Sequence, residues 1–458
     1  MSAVVVSVLG GALVAVPSSA RAASGVAGDI NHDGYRDLVI SAPDATVAGR
    51  AGAGAVVILY GSAGGFGKRA VLTQDSAGIP GSAEAGDHFG ASAAVHDVDL
   101  NGYSDLVIGA PGEEVSGDIG GGLVTFVHGS STTPGKAFTV GDPSPYEHDA
   151  WGRTLAVGTF DGYTDNGRPV IAVGANDNGV YYMPATAGGS WLGGVGVNFN
   201  PKYAITSLVT AADDTLVVSG RGQSTDTWGS DGEGSFVRTL VHSGQYTDEQ
   251  AGGLVTAVGD LNGDGQADLV SGNPFEPGAD PHGALGGKVT VTYGGGVTGG
   301  SGATVVIDQN TAGIPGVSEA GDRFGAALSI GDTDKDGYAD LVIGSPGEDG
   351  ASGAVTVIRG GAGGLVTTAA RGVSQNTAGV PGSSEAGDAF GSSVLLRDCT
   401  KDGAADLVVG GPGEDGGDGA MWLLRGAVPS QALGITAAGA GLSTSGTPHF
   451  GSVSTSSR

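Results

Sequence analysis

The sequence predicts an all-β fold: a seven-bladed β-propeller of four-stranded blades, closed by the C-terminal strand joining the first blade. Three observations predict it. One long motif recurs along the chain. Each period carries four short strand candidates and no convincing amphipathic helix. The two ends of the chain are complementary parts of one period.

The repeat is read directly. Gln74 to Gly90 is QDSAGIPGSAEAGDHFG, Gln309 to Gly325 is QNTAGIPGVSEAGDRFG, and Gln375 to Gly391 is QNTAGVPGSSEAGDAFG. After each comes an apolar strand, an Asp-rich loop, and a second apolar strand ending in Pro-Gly-Glu. These loops and second strands read DVDLNGYSDLVIGAPGE from Asp97, DTDKDGYADLVIGSPGE from Asp332 and DCTKDGAADLVVGGPGE from Asp398. Two further copies begin at Asp29 and Asp260. Two degenerate copies lie near 160 and 213; the first has Trp151-Gly152 in place of Phe-Gly, and the second, Ala211 to Gly220, has no loop. Copies therefore start near 29, 97, 160, 213, 260, 332 and 398, and such a period is the mark of a repeat architecture.

Each period adds a third strand candidate, such as Ala55 to Tyr60, Leu123 to His128, Lys288 to Tyr293 or Ala354 to Arg359. These runs are rich in β-branched residues and bounded by glycine, as strands are. A weaker fourth run follows, as at Lys136 to Val140 or Gly364 to Thr368. Four short strands per period, seven times over, is the arithmetic of a propeller. The chain finishes His449-Phe450-Gly451-Ser452-Val453, a first strand without the rest of its repeat, whereas the N-terminal copy lacks a Phe-Gly. A C-terminal strand completing the first blade supplies the missing part and removes two exposed edges.

Composition narrows the function. The chain has 458 residues, 91 of them Gly, with 48 Asp plus Glu against 20 Lys plus Arg and a formal charge of −28. A polyanion does not bind nucleic acid through its bulk charge. A hydrophobic content of 39% is ample for a core, so a wholly disordered acidic chain is not expected. Residues 1–22 read as an export signal, with an apolar run from Ala3 to Val16 and an Ala20-Arg21-Ala22 cleavage pattern, although no Lys or Arg precedes the run. The run is too short for a membrane span. The expected domains are that signal and a propeller over 23–458, in a secreted, extracellular and monomeric protein. With Cys399 as the one cysteine, an internal disulfide is impossible, and rigidity must come from a metal or from the closed fold.

The chemistry lies in the loop pattern D-x-[DNT]-x-[DN]-G-x-x-D. Oxygen side chains at positions 1, 3 and 5 converge when the loop coils tightly, and Gly at position 6 permits the turn. The carbonyl of position 7 can face inward, and Asp at position 9 closes the shell. Hard oxygen donors in this number suit Ca²⁺ far better than Zn²⁺ or Cu²⁺. Five loops are complete. They comprise Asp29, Asn31, Asp33, Tyr35 and Asp37; Asp97, Asp99, Asn101, Tyr103 and Asp105; Asp260, Asn262, Asp264, Gln266 and Asp268; Asp332, Asp334, Asp336, Tyr338 and Asp340; and Asp398, Thr400, Asp402, Ala404 and Asp406. Position 7 contributes its backbone carbonyl in each. About five Ca²⁺ are expected, in a structural role, because clustered carboxylates repel each other without a cation. Thr400 is the weakest donor. The third copy has Asp161, Asp165 and Asn166 at shifted spacing, which predicts no dependable site, and the fourth predicts none. An Asp/Asn/Gly turn without metal is the simpler alternative for one loop; five in register argue against it.

No catalytic motif is present: no HExxH, GxSxG or GxxxxGK[ST]. The paired acids Glu84/Asp87, Glu319/Asp322 and Glu385/Asp388 recur with the period, which points to blade connectors rather than to a catalytic pair. His32 and His88 read as surface residues. Phe89, Trp151, Phe324, Phe390 and Phe450 read as packing between blades.

The combination of Phe89-Gly90, the Asp97 to Asp105 loop and Gly109-Ala110-Pro111 resembles the FG-GAP repeat family, which includes the N-terminal seven-bladed propeller of integrin α chains. The resemblance runs from about Gly25 to Val453, and secreted bacterial proteins of this look are common. It implies a propeller with Ca²⁺ loops that binds partner proteins or matrix ligands. The expected function is thus a calcium-binding adhesion module for an extracellular protein or glycan, with no nucleic-acid partner and no catalytic residue. Two alternatives stand: a secreted hydrolase of phosphoesters or polysaccharides that uses a propeller face, and a structural envelope-associated protein. The aromatic residues Trp151, Tyr163, Tyr181, Tyr182, Trp191, Tyr203 and Trp228 of the degenerate copies are the candidate ligand surface.

Overall fold

The computed structural model describes residues 26–452, apart from 133–134, 143–149, 159–168, 177–179, 185–194, 198–204, 211–215, 221–225, 231–235, 241–254, 281–282 and 295–301. The predicted export signal, Asp161, Asp165, Asn166, Tyr163, Trp191, Tyr203 and the residues after Ser452 lie outside these. The described strands pair only as antiparallel sheets.

The first sheet has three strands, β1 Leu38–Ala42, β2 Ala55–Leu59 and β3 Arg69–Leu72. Six sheets of four strands follow in chain order. The second is β4 Ser92–His96, β5 Asp105–Ala110, β6 Leu123–Val127 and β7 Ala137–Val140. The third is β8 Thr154–Gly158, β9 Val170–Gly174, β10 Val180–Pro184 and β11 Val195–Val197. The fourth is β12 Ile205–Thr210, β13 Leu216–Gly220, β14 Asp226–Ser230 and β15 Phe236–Leu240. The fifth is β16 Val255–Gly259, β17 Asp268–Asn273, β18 Lys288–Thr292 and β19 Thr304–Ile307. The sixth is β20 Ala327–Gly331, β21 Asp340–Ser345, β22 Ala354–Arg359 and β23 Val366–Val373. The seventh is β24 Ser393–Arg397, β25 Asp406–Gly411, β26 Ala420–Leu424 and β27 Leu433–Thr436.

Successive sheets meet along their first strands, β4 beside β8, β8 beside β12, β12 beside β16, β16 beside β20 and β20 beside β24. This is the architecture of an all-β β-propeller. Second strands such as LVISA, DLVIGA and DLVVGG are buried at every residue. A strand covered on both faces reads as a continuous apolar run rather than an alternating one. Fourth strands are half exposed, with only their last residue buried in β3, β7 and β19.

The core is a series of seams between neighbouring sheets. Val39, Ile58 and Phe89 pack with Leu106 and Ile108 across the first seam. Val289, Phe324, Leu341 and Ile343 pack across the fifth and sixth sheets, and Val342, Phe390, Leu407 and Trp422 across the sixth and seventh. Leu38, Ile40 and Val57 of the first sheet share a cluster with Leu395, Val408, Met421 and Phe450.

The Phe-Gly pair is the pin of each seam. Phe89, Trp151, Phe324, Phe390 and Phe450 are fully buried. Each bridges a glycine of the preceding sheet: Gly54, Gly122, Gly287, Gly353 and Gly419. Only glycine fits there. At Gly353 φ is +86°, and a Cβ would sit 2.2 Å from the Phe390 carbonyl oxygen. The glycine after the Phe then bonds the second strand of the next sheet: Gly90 N–H donates to Gly109 O at 2.9 Å and Gly391 N–H to Gly410 O at 2.9 Å. Gly451 N–H makes the same bond at 3.1 Å, to Ser41 of the first sheet.

The packing corrects one expectation. Trp151, Tyr181 and Tyr182 are buried, and the Trp151 ring lies 5.1 Å from that of Tyr181. They fill the third sheet's seams and are not a ligand surface. Trp228 lies on β14, and Tyr163, Trp191 and Tyr203 fall outside the described residues.

Candidate metal centres

Four of the Asp loops join the first and second strands of their sheets, the Asp29 loop runs directly into β1, and the five share one hydrogen-bond plan. The position 1 carboxylate, Asp29, Asp97, Asp260, Asp332 or Asp398, accepts through Oδ2 the N–H of the position 6 glycine at 2.7–3.0 Å. The position 5 side chain, Asp33, Asn101, Asp264, Asp336 or Asp402, accepts through Oδ1 the N–H of position 7, which is Tyr35, Tyr103, Gln266, Tyr338 or Ala404. Position 3 is less uniform. The Oδ1 atoms of Asn31, Asp99 and Asn262 accept the position 5 N–H, Asp334 pairs with Arg359 at 2.9 Å, and the Thr400 N–H donates to Asp406 Oδ2.

Position 9 is the hub. Asp37, Asp105, Asp268, Asp340 and Asp406 are all buried. Their Oδ2 atoms accept the N–H of position 2, from Ile30, Val98, Leu261, Thr333 and Cys399. Their Oδ1 atoms accept the N–H of Gly61, Gly129, Gly294, Gly360 and Gly426, which follow β2, β6, β18, β22 and β26. The ninth Asp therefore ties loop, second strand and third strand together. Oδ2 of Asp105, Asp340 and Asp406 accepts a second bond, from the Asp99 N–H, the Thr333 hydroxyl and the Thr400 N–H, whereas both oxygens of Asp37 and Asp268 keep a further lone pair.

Two backbone features support the coil. Position 6 has φ of +89°, +93°, +81°, +90° and +92°, as the glycine there predicts. Position 4 is also left-handed, at His32, Leu100, Lys335 and Lys401 as well as Gly263. No glycine marks it in four of the five loops, so the sequence hides it. The left-handed residue aims its neighbours' N–H groups at position 1.

Neighbouring loops are linked along one rim. The position 1 carbonyls of Asp29, Asp260 and Asp332 accept from the position 8 N–H groups of Ser104, Ala339 and Ala405 in the next loop. Lys335 Nζ donates to Asp402 O at 2.6 Å, and the His32 ring lies 5.0 Å from that of Tyr103. From the last loop, Lys401 Nζ stands 5.5 Å over the ring of Tyr35 in the first.

The electrostatics favour a cation. Burial pushes the Asp37 carboxyl up to about 7, with Asp29 and Asp33 adding to the rise against the N–H groups of Gly61 and Ile30. Burial likewise raises Asp29, Asp97, Asp105, Asp268, Asp340 and Asp406. Asp402 is held low, by the Ala404 N–H and then by Lys335. Buried carboxylates set beside one another are the donor set a divalent cation stabilises. In the loop of the sixth sheet, Asp332, Asp334 and Asp336 bring one oxygen each within 4.8 Å of one another.

A second polar layer lies at the opposite ends of the strands, where the Pro-Gly-Glu turn meets the connector between sheets. Gln74, Gln309 and Gln375 donate through Nε2 to Glu113, Glu348 and Glu414 at 2.5–2.6 Å. Asp87, Asp322 and Asp388 accept the N–H of Glu84, Glu319 and Glu385. Sequence reasoning missed the Gln–Glu pairing, though its signal is a constant separation of 39 residues. The recurring acids are connectors, as their period implied. Burial, with Asp388, Asp415 and Glu385 nearby, pushes Glu414 up to about 7 against the Gln375 amide.

That shift has a sign. Between the ordinary glutamate value of 4.5 and about 7 the folded protein binds more protons at Glu414 than the unfolded chain. Its stabilising share is full below 4.5 and is lost as pH rises through 7. Glu414→Gln is expected to flatten the fall in melting temperature across this window relative to the parent, both measured in chelator. A parallel pair of curves would contradict the assignment.

Comparison with known proteins agrees with this geometry. The FG-GAP repeat model matches residues 22–59, 252–305 and 324–358. The chain is similar to the phosphatidylinositol-glycan-specific phospholipase D of Bos taurus, 37% identical over 84 residues, 18% of this chain and 10% of that one. It is also similar to integrin alpha-PS5 of Drosophila melanogaster, 41% identical over 88 residues, 19% of this chain and 8% of that one. The chain thus spans a tenth or less of the length of these relatives. A solved structure titled "Structure of Dos1 propeller" aligns over 75% of this chain and 70% of that one at 9% identity, with a TM-score of 0.40. With its strand pairing, its Phe-Gly pins and its Asp loops together, the chain is a β-propeller that carries FG-GAP repeats and is distantly similar to integrin alpha chains and to phosphatidylinositol-glycan-specific phospholipase D.

Proposed function

We propose that this chain is a secreted, seven-bladed, closed propeller, stiffened by about five Ca²⁺ in its Asp loops, that serves as a binding or adhesion module for an extracellular protein or glycan. The observation that carries the metal reading is the shared plan of the five loops, with its buried ninth Asp and raised carboxyl pKa values. Each loop would hold its ion with the oxygens of positions 1, 3, 5 and 9 and the carbonyl of position 7. Bound Ca²⁺ would supply the positive charge these carboxylates lack. The protein's own part is to hold the donors in place through the backbone bonds to positions 1, 5 and 9.

Closure is supported by the shared cluster of the first and last sheets, by the Gly451–Ser41 bond, and by the 2.6 Å bond from Arg397 Nη2 to Ala27 O. The binding role rests on the likeness to integrin alpha chains and on the recurrence of the acid clusters at three junctions. A hydrolytic site would be expected to depart from that recurrence. The secreted location rests on residues 1–22.

Ion counting tests the metal reading. Dialysed protein is expected to carry about five Ca²⁺ per chain. Asp336→Ala is expected to lose about one of them. Equal stoichiometry in mutant and parent would remove the loop assignment. Capture on an extracellular protein and glycan array, with and without Ca²⁺, tests the binding role, and no Ca²⁺-dependent partner in that array would count against it.

A further inference from the structure

The residue just before the glycine bonded to the ninth Asp stands beside its sheet's Asp loop. That residue is Tyr60, His128, Tyr293, Arg359 or Arg425 in the five loop-bearing sheets. Only the second loop has an imidazole at this place.

His128 is placed to use it. Its Nδ1 lies 3.2 Å from Asp99 Oδ2 and 3.6 Å from Asp105 Oδ1. One ligand atom from each of the three falls within 4.8 Å of the others. The ring stands edge-on to Phe126 at 4.9 Å and tilted against Phe138 at 5.7 Å, and the His128 N–H donates to Lys136 O at 2.8 Å. Asp105 is fully buried and fixed by the Gly129 and Val98 N–H groups. Imidazole and carboxylate are thus held before any ion arrives, at separations that two ligands about 2.1 Å from one ion can span.

We propose that the second loop is a mixed nitrogen–oxygen site, in which His128 joins Asp99 and Asp105 to hold a first-row transition-metal dication of the Zn²⁺ or Co²⁺ class in preference to Ca²⁺. This rests on reading the Asp loops as metal sites. The reason is donor chemistry: imidazole nitrogen adds much to the affinity for Zn²⁺ or Co²⁺ and little to that for Ca²⁺, which takes oxygen. The other four loops lack a nitrogen donor at this place. In the loop of the sixth sheet, the Arg359 guanidinium pairs with Asp334 instead.

The same distances suit an imidazolium paired with two carboxylates, and the two roles predict opposite signs. A paired cation competes with metal, so its removal tightens binding; a ligand's removal weakens it. The test is the full chain, stripped with chelator and titrated with Co²⁺ and then Zn²⁺ under excess Ca²⁺. Visible d–d absorption and competition calorimetry are the readouts. The parent is expected to retain one ion that Ca²⁺ does not displace. His128→Tyr installs the residue that the first and fifth sheets carry, so folding is preserved. It is expected to lose the Co²⁺ spectrum and at least about tenfold in Zn²⁺ affinity, while Ca²⁺ still binds. An unchanged or tighter Zn²⁺ affinity in His128→Tyr would overturn the inference. If Ca²⁺ binds at about five per chain without a His128-dependent Zn²⁺ site, this inference alone fails. If the chain takes up no Ca²⁺, the loop reading fails with it.

Discussion

Chelating Ca²⁺ is expected to lower the melting temperature by on the order of 10–15 °C. A site held at a hundredfold excess over its Kd contributes about 2.7 kcal/mol. Five such sites act against an unfolding entropy of about 2.1 cal/mol/K per residue, which sets the size of the shift. The structural reason is the place of the charge. Sixteen of the 48 acids sit in the five loops, three in each except the loop of the sixth sheet, which has four. Each ninth Asp is buried at the joint between three segments of its sheet. With metal absent, burial raises these carboxyls and their neighbours repel them. The measurement is a thermal melt by circular dichroism with and without chelator, at constant ionic strength. Superimposed curves would end the structural role of calcium.

Phe450→Ala is expected to cost about 3–5 kcal/mol, as a buried aromatic truncated to Ala does. Phe450 is fully buried, packs with Leu38 and Ile40 of the first sheet, and bridges Gly419 of the seventh. Its counterparts Phe324 and Phe390 hold the same position at internal seams. In a closed ring the three truncations should cost alike in urea unfolding. In an open one the terminal Phe-Gly would fray, and Phe450→Ala would cost far less than Phe324→Ala. That comparison is the sharpest test of closure.

Much of this protein was legible because it repeats. DLVIGAP, DLVVGGP and DLVISAP are apolar without alternation, and each became a strand buried on both faces. The Phe-Gly pairs were read as packing, and every one of them is a seam pin. The five loops were read by side-chain type alone. What the sequence concealed is the work of backbone groups distant along the chain. Gly61 and Gly426 lie 24 and 20 residues from the Asp they bond, and nothing local announces the contact. Left-handed His32, Leu100, Lys335 and Lys401 carry no compositional mark. The degenerate copies misled for the opposite reason. Unusual aromatics suggest an exposed surface, but a seam that has lost its small repeat residues is refilled with large ones, and Trp151 and Tyr182 are that filling.

By itself the sequence determined the period, the strand order, the loop chemistry and the acidity, because each depends on residue type at fixed short spacing. Tertiary structure decided which residues meet across that spacing: Gln375 with Glu414, Phe450 with Leu38, and His128 with Asp99 and Asp105. Such meetings follow from the packing of one sheet on the next and from paired strands. A one-dimensional pattern specifies the elements but not the atoms that their docking brings within bonding distance.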